Sequence, residues 1–270
     1  MEAPSAAGSD QVVLAYASVR HYVIMNKDLD ERIETFAKLL YRSHYLVFFT
    51  GAGISTESGL PDFRGPDGIW TRRDKGLAPE PLNKPWNLFE PNSGHLAIVE
   101  LQNIGKLKFL ISQNVDNLHL KSGIRLDLLA ELHGNITRFR CTGCRKTIDR
   151  SSGKKICECG GTFVSSVVDF GQPLPERDLM LSFKHSQKSD LFVAVGSSLV
   201  VTPAADMPQE ALHSGAKLVI INQGETPFDR YAHLRFSEKI SDVLPKAVKR
   251  LTNQSIIVWA LKIEFPSRSC

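Results

Sequence analysis

The chain has 270 residues, 42% of them hydrophobic and 23% charged, with a formal net charge of +4. A chain of this size buries about 75% of its unfolded surface, so it needs neither disulfide nor metal to have a core, and no apolar run approaches the roughly 18 residues of a membrane helix. The mild positive charge is only weak support for an acidic or nucleic-acid partner.

Residues 1–27 read as an arm, with Val12-Val13-Leu14 docking on the body. The opening is small, polar and slightly acidic, unlike a transit or signal peptide, which predicts an intracellular, reducing setting. Asp28 caps an expected helix to about Arg42, with Leu29, Ile33, Phe36 and Leu40 on one face. The apolar strand Tyr45 to Phe49 then runs into Gly51-Ala52-Gly53-Ile54-Ser55-Thr56. Two glycines let the backbone bend tightly and approach a ligand closely, and a helix starting there offers free N–H groups to a phosphate. The usual dinucleotide fingerprint places a third glycine at position 56. Thr56 stands there instead, and Gly59 comes next. Asp62-Phe63-Arg64 adds an aromatic face and a guanidinium.

Pro61, Pro66, Pro79, Pro81, Pro85 and Pro91 argue against regular helix through most of 61–92, and a loop that long inside a domain is usually functional or mobile. Ser93 is expected to cap a helix ending near Gly105, with Ala97, Leu101 and Ile104 inward. Leu107 to Ser112 reads as a buried strand ending in Gln113-Asn114-Val115-Asp116. Beyond a cysteine-rich stretch come a helix from about Pro175 to Ser186 and the strand Leu191 to Val195, ending in Gly196-Ser197-Ser198. Another helix precedes the strand Lys217 to Ile221, which ends in Asn222. A last amphipathic helix carries Ile240, Val243, Leu244, Ala247 and Leu251. In the 253–270 tail, Ile256 to Phe265 reads as an edge strand, a partner-binding segment or a loose end.

Short apolar strands alternating with helices predict an α/β fold, a Rossmann-like parallel sheet with helices on both faces. Four strands stop at glycines or polar clusters, and ligands of such sheets bind at the C-terminal strand ends. Any one cluster also reads as an ordinary polar loop; the agreement of all four points to a site.

Four of the five cysteines lie between positions 141 and 159. Cys141 and Cys144 have the knuckle spacing, and Cys157 and Cys159 follow after a 12-residue spacer. Inside a cell such a cluster indicates metal rather than disulfides, and four thiolates suit one structural Zn²⁺ with no open coordination position. The second pair is C-x-C, with Gly160-Gly161 giving its backbone latitude. Arg138, Arg140, Arg145, Lys146, Arg150, Lys154 and Lys155 surround the module, as a solvated basic face or as a nucleic-acid contact.

The strings Gly51 to Thr56, Gly59-Leu60-Pro61-Asp62-Phe63-Arg64-Gly65, Gln113-Asn114-Val115-Asp116-Asn117-Leu118-His119, Glu131-Leu132-His133-Gly134 and Gly196-Ser197-Ser198 occur in sirtuin order, with the cysteine pairs following His133. Over about 28–250 the chain resembles a sirtuin, an NAD-dependent protein-lysine deacylase, and within that family it is most similar to the class IV branch, whose reduced cofactor loop the segment Gly68 to Pro79 resembles. The resemblance implies an NAD-binding domain of 28–135 and 170–252, an inserted zinc module of 136–169, and an active site between them. It implies that Gly51, Ala52, Gly53, Thr56, Asp62, Phe63, Arg64 and Trp70 line the NAD site. Gln113 contacts the nicotinamide ribose, and Asn114, Val115 and Asp116 form the nicotinamide pocket, Asn114 and Asp116 sharing in catalysis. Gly196, Ser197, Ser198, Asn222, Gln223 and Ile240 hold the adenosine side. His133 is the implied general base on a ribose hydroxyl, a role an imidazole of pKa near 6.5 suits, and His119 supports the loop. The products implied are deacylated lysine, nicotinamide and O-acyl-ADP-ribose.

An acyl-lysine peptide, with histones among the implied partners, is expected to add as a strand near Val167, Val168, Asp169, Phe170 and Gly171. Gln172 stands where the family commonly has glutamate and Asn117 where it has glycine, which bears on acyl preference and loop geometry. Two other readings use the same features: mono-ADP-ribosyl transfer to protein, and an NAD-sensing chromatin module. The branch resemblance implies a nuclear location, with the cytoplasm as the alternative; no membrane partner is expected.

Overall fold

The computed structural model describes residues 28–65, 68–78, 81–169 and 171–264, with side chains as far as Asn253. The expected arm, Pro66, Pro79, Phe170 and the end of the tail lie outside the described residues.

Helix α1 (Leu29–Arg42) begins as expected at Asp28, whose side chain accepts from the Glu31 N–H. It buries Ile33, Phe36, Ala37 and Leu40. Strand β1 (Leu46–Thr50) is buried throughout, as a run apolar on both faces should be. A 3-10 helix, Ala52–Ser58, follows the glycine turn. The described residues of the proline-rich stretch include the short helix α2 (Ile69–Asp74) and a 3-10 turn, Trp86–Leu88.

Helix α3 (Ser93–Asn103) is capped by Asn92, not by Ser93. The Asn92 side chain accepts from the Gly94 and His95 N–H groups while Nδ1 of His95 accepts from the Asn92 N–H, a reciprocal cap that Ser93 has no partner to make. The helix stops before Ile104, which is exposed rather than inward. Strand β2 (Leu107–Ser112), helix α4 (Leu118–Ser122) and the short β3 (Leu129–Glu131) come next. Strands β4 (Arg138–Cys141), β5 (Thr147–Asp149) and β6 (Phe163–Ser165) form a separate antiparallel sheet. Helix α5 (Glu176–Lys188), strand β7 (Leu191–Val195), helix α6 (Met207–His213), strand β8 (Lys217–Ile221) and strand β9 (Leu234–Phe236) complete the main sheet. Helix α7 (Ile240–Glu264) buries Val243, Leu244, Ala247 and Leu251. It continues past 252, so the described part of the tail is helical and not an edge strand.

The main sheet has the order β3-β2-β1-β7-β8-β9, all parallel. Phe48, Leu110, Val193 and Val219 face one cluster with α1, α3 and α7. Val47, Phe49, Phe109, Ile111, Phe192 and Ala194 face the other, with α6 and the flank of α5. Because β2 and β7 flank β1 on opposite sides, the chain reverses its direction of growth there, and a crevice opens above the carboxyl ends. The pairing runs one residue beyond each strand. The N–H groups of Gly51, Gln113, Gly196 and Asn222 donate to the carbonyls of Val195, Thr50, Ile221 and Phe236 at 3.0, 3.0, 2.9 and 3.0 Å. The four polar clusters are thereby held in register along one edge. Among the described residues no helix is long and apolar enough to cross a membrane.

Candidate active site and metal centre

A cleft of about 1750 Å³ lies over this edge. Every expected cofactor and peptide residue that the structure describes lines it, from Gly51 and Asp62 through Gln113 to Asp116, His133, Val167, Val168 and Gly171, to Gly196, Asn222 and Ile240.

The glycine turn is shaped first by its own protein. A Cβ on Gly53 would stand 2.7 Å from the Cα of Gly196, and one on Gly51 would stand 2.7 Å from the Gly196 carbonyl oxygen. Gly196 has φ +62, and a Cβ there would meet the Ile54 nitrogen at 2.3 Å. The turns after β1 and β7 thus touch backbone to backbone, and the Gly53 N–H donates to the Gly196 carbonyl at 2.8 Å. Just beside them Nε2 of Gln113 donates to Oγ of Ser197 at 2.8 Å, bridging the strands on either side of β1.

Below this bridge Asp116 is buried, its Oδ2 accepting from Oγ of Ser55 at 2.6 Å and its Oδ1 from the Leu118 N–H at 2.9 Å. Nδ2 of Asn114 donates to the same serine oxygen at 3.2 Å. Oδ1 of Asn114 is buried with no hydrogen-bond partner among the described residues, and a buried acceptor left unmade is costly. It suits a ligand bearing an N–H donor, as a carboxamide does. Ser55 was not singled out from the sequence, although it sits inside the glycine motif; only its long-range partners reveal its part.

His133 stands two residues past the end of β3. Its Nδ1 lies 2.8 Å from the Gln113 carbonyl, which can only accept, so the proton sits on Nδ1 and Nε2 is left as the basic atom. Burial pushes its pKa below 6.5, against the opposing effect of that carbonyl bond. The ring is therefore neutral at pH 7. The next residue, Gly134, has φ +76, and a Cβ there would meet the Ser166 carbonyl oxygen at 2.0 Å. The strand-like segment after β6 is tied on by the Val168 N–H donating to the His133 carbonyl at 3.0 Å.

Over the cleft, Phe63 and Trp70 have ring centroids 5.1 Å apart, and the Arg64 guanidinium lies 4.6 Å from the Trp70 ring centre. Oδ1 of Asp62 accepts from the Gly65 N–H at 3.0 Å and shapes this turn. The two departures from the family pattern also find places. Asn117 has φ +69, the region that favours glycine but that asparagine tolerates. Its Oδ1 accepts from Nδ2 of Asn135 at 2.9 Å and from Oγ1 of Thr137 at 3.3 Å. Gln172 lines the cleft, its Oε1 accepting from the Asp169 N–H at 3.3 Å.

His119 is fully buried with Nε2 2.8 Å from Oγ1 of Thr50, and its ring centroid is 5.0 Å from that of buried His95. Burial pushes both imidazoles well below 6.5, His119 to about 3. These rings support the floor of the site from beneath and do not line the cleft.

The ligand atoms of Cys141, Cys144, Cys157 and Cys159 lie within 4.8 Å of one another. Sγ of Cys141 is 3.4 Å from that of Cys159, and Sγ of Cys144 is 3.6 Å from that of Cys157. Sulfurs around a tetrahedral Zn²⁺ stand about 3.8 Å apart, given Zn–S bonds near 2.3 Å, and a disulfide needs about 2.05 Å. The cysteines fit one zinc ion. The shorter C-x-C spacing is accommodated by Gly161, where a Cβ would meet Sγ of Cys141 at 2.6 Å.

Two outcomes follow from these environments. Metal analysis of the purified chain finds one zinc per chain, and Cys141→Ser lowers that stoichiometry. Unfolded histidine takes up a proton as pH falls through 6.5 while the folded His119 does not, so stability is full above that pH and declines below it. For His119 the loss is about 2 kcal/mol at pH 5. Urea titrations at pH 7 and pH 5 should therefore diverge less in His119→Gln than in the wild type.

The Sir2 family model matches residues 51–83 and 81–203. The chain is 39% identical over 232 residues to the NAD-dependent protein deacetylase SRT1 of Arabidopsis thaliana, covering 82% of this chain and 49% of that protein, so it spans about half the length of that relative. It is 39% identical over 248 residues to NAD-dependent protein deacetylase 1 of Pyrobaculum aerophilum, covering 82% of this chain and 95% of that protein. A solved Sir2 structure with a p53 peptide and NAD+ superposes with a TM-score of 0.65 at 33% identity, over 83% of this chain and 99% of the other. Sequence and architecture agree at every level compared, and the chain belongs to the Sir2 family.

Proposed function

We propose that the chain is an NAD-dependent protein-lysine deacylase, with 28–135 and 170–252 binding the dinucleotide and 136–169 forming the zinc module. The observation that carries this reading is His133, held by the Gln113 carbonyl with Nε2 unprotonated, in the same cleft as the unsatisfied Asn114 amide oxygen. The Sir2 structure described with p53 peptide and NAD+ supports it, because the fold is shared.

NAD supplies an anomeric carbon whose leaving group is nicotinamide; with acyl-lysine and water it yields free lysine, nicotinamide and O-acyl-ADP-ribose. Asn114 Oδ1 accepts from the carboxamide. Asp116, already bonded twice on its own side, fixes the pocket loop through Ser55 and the Leu118 N–H. Gln113 presents its side chain beside the ribose while its carbonyl orients His133. Nε2 of His133 takes the proton from a ribose hydroxyl, and burial keeps that nitrogen free at neutral pH. The acyl-lysine peptide pairs alongside Val167 and Val168, where backbone bonds give affinity with little sequence demand. The short α2 segment is consistent with class IV membership.

The test is mass spectrometry of acetyl-, myristoyl- and unmodified lysine peptides incubated with NAD. Loss of the acyl group with formation of O-acyl-ADP-ribose is expected, and His133→Ala lowers kcat/KM by about 10²- to 10⁴-fold. An ADP-ribose mass gain on protein without acyl loss would replace deacylation by transfer. Wild-type turnover in His133→Ala would remove the histidine from its assigned role.

A further inference from the structure

The adenosine end of the cleft has two lips, residues 222–225 after β8 and residues 238–240 leading into α7. The first lies outside any regular element and the second ends on the first residue of α7; the first is held by one side chain that does not itself line the cleft. Arg235, at the centre of β9 opposite Ile220, is 11% exposed. Its Nη1 donates to the carbonyls of Asn222 and Phe236, its Nη2 to the carbonyl of Gly224, and its Nε to Oδ1 of Asp229 at 2.9 Å. The Asn222 side chain closes the same turn, Nδ2 donating to the Gly224 carbonyl at 2.8 Å. Asp229 also accepts from Oγ1 of Thr226 at 2.7 Å, drawing in the far side of the loop. The second lip is connected through Arg32 on α1, which donates to the Arg235 carbonyl at 2.9 Å and pairs with Glu238.

The carbonyls of Asn222 and Gly224 lie beyond the end of β8 with no ladder partner of their own, while that of Phe236 also accepts from the Asn222 N–H; fixing all three fixes the path of the loop. A guanidinium has five donors in a rigid plane, so it can span several carbonyls and a carboxylate at once; an ammonium is a point charge that cannot. From this geometry we infer that Arg235 is a positioning residue for the adenosine half of the dinucleotide: its side chain sets the 222–225 lip. The inference rests on the proposed NAD site and adds a residue that acts through the 222–225 lip without touching the ligand.

The test compares wild type with Arg235→Met, Arg235→Lys and the milder Asp229→Asn. It reads the Kd of ADP-ribose by calorimetry together with steady-state kinetics. Arg235→Met raises that Kd and the KM for NAD by about tenfold, and Arg235→Lys by about fivefold, because charge alone does not replace the fork. At saturating NAD kcat stays within about twofold, and the acyl-peptide KM and nicotinamide inhibition are unchanged, as expected when only uniform binding at one end is lost. Asp229→Asn shows the same split at smaller size and decides the matter if both Arg235 variants fail to fold. An unchanged NAD KM in folded Arg235→Lys, or full rescue by lysine, overturns the inference. So does a parallel loss of kcat and acyl-peptide KM, which marks a general structural role. A wild type that binds ADP-ribose but removes no acyl group refutes the proposed reaction while leaving the Kd comparison decisive for Arg235. A wild type that binds no ADP-ribose overturns both.

Discussion

The contact on which the site depends is the backbone-to-backbone meeting of Gly51 and Gly53 with Gly196. No side chain fits between these turns, since Cβ atoms at Gly53 and Gly196 would fall 2.7 Å and 2.3 Å from main-chain atoms. Their closeness brings the ends of β1 and β7 together at the point where the sheet reverses its order. The same closeness lets Gln113 reach Ser197 across the top of β1. A dinucleotide fingerprint with three glycines uses the last for close helix–strand packing. Here the chain after Gly53 forms a 3-10 helix, and Oγ1 of Thr56 donates to the Gly53 carbonyl at 2.9 Å. Threonine at 56 thus belongs to a different turn, which frees Ser55 to bind Asp116.

A second set of polar contacts joins the cysteine module to the pocket. Asn135 is fully buried, and its Nδ2 donates both to Oδ1 of Asn117 and to Oε1 of Glu131. The Ile136 N–H donates to the Val115 carbonyl at 2.9 Å, and Oγ of Ser166 donates to the Asn135 carbonyl at 2.8 Å. One strand of the neck is therefore bonded to the loop that carries Asn114 and Asp116, and the other is bonded to the first at Asn135. Burial among these groups pushes the Glu131 carboxyl up to about 7. Asparagine at 117 keeps the left-handed backbone and adds two side-chain bonds that glycine there would lack. The cysteine module thus has a physical connection to the pocket loop through this neck.

The four long strands were legible because each is buried on both faces and reads as a continuous apolar run. Strands β3 and β9, three residues each, carry too few residues for any period to emerge. Asn92 and Ser93 are both good caps, and only the reply of the His95 ring to the Asn92 N–H separates them. Ile104 fits the helical stripe but lies past the last turn, and solvent takes it. Residues of the candidate site that carry the glycine, Gln113-to-Asp116 and His133 motifs were visible by type and order. Arg235, Arg32 and Glu238 were not, because their roles come from partners remote in the chain.

The most direct test of this account is the Gly53→Ala variant, examined by circular dichroism and by calorimetric titration with ADP-ribose. The added methyl forces apart the turns after β1 and β7 while the core beneath, packed on strands untouched by the change, stays folded. The account predicts native-like spectra with ADP-ribose affinity reduced by about tenfold or more. Wild-type affinity in the folded variant would contradict it.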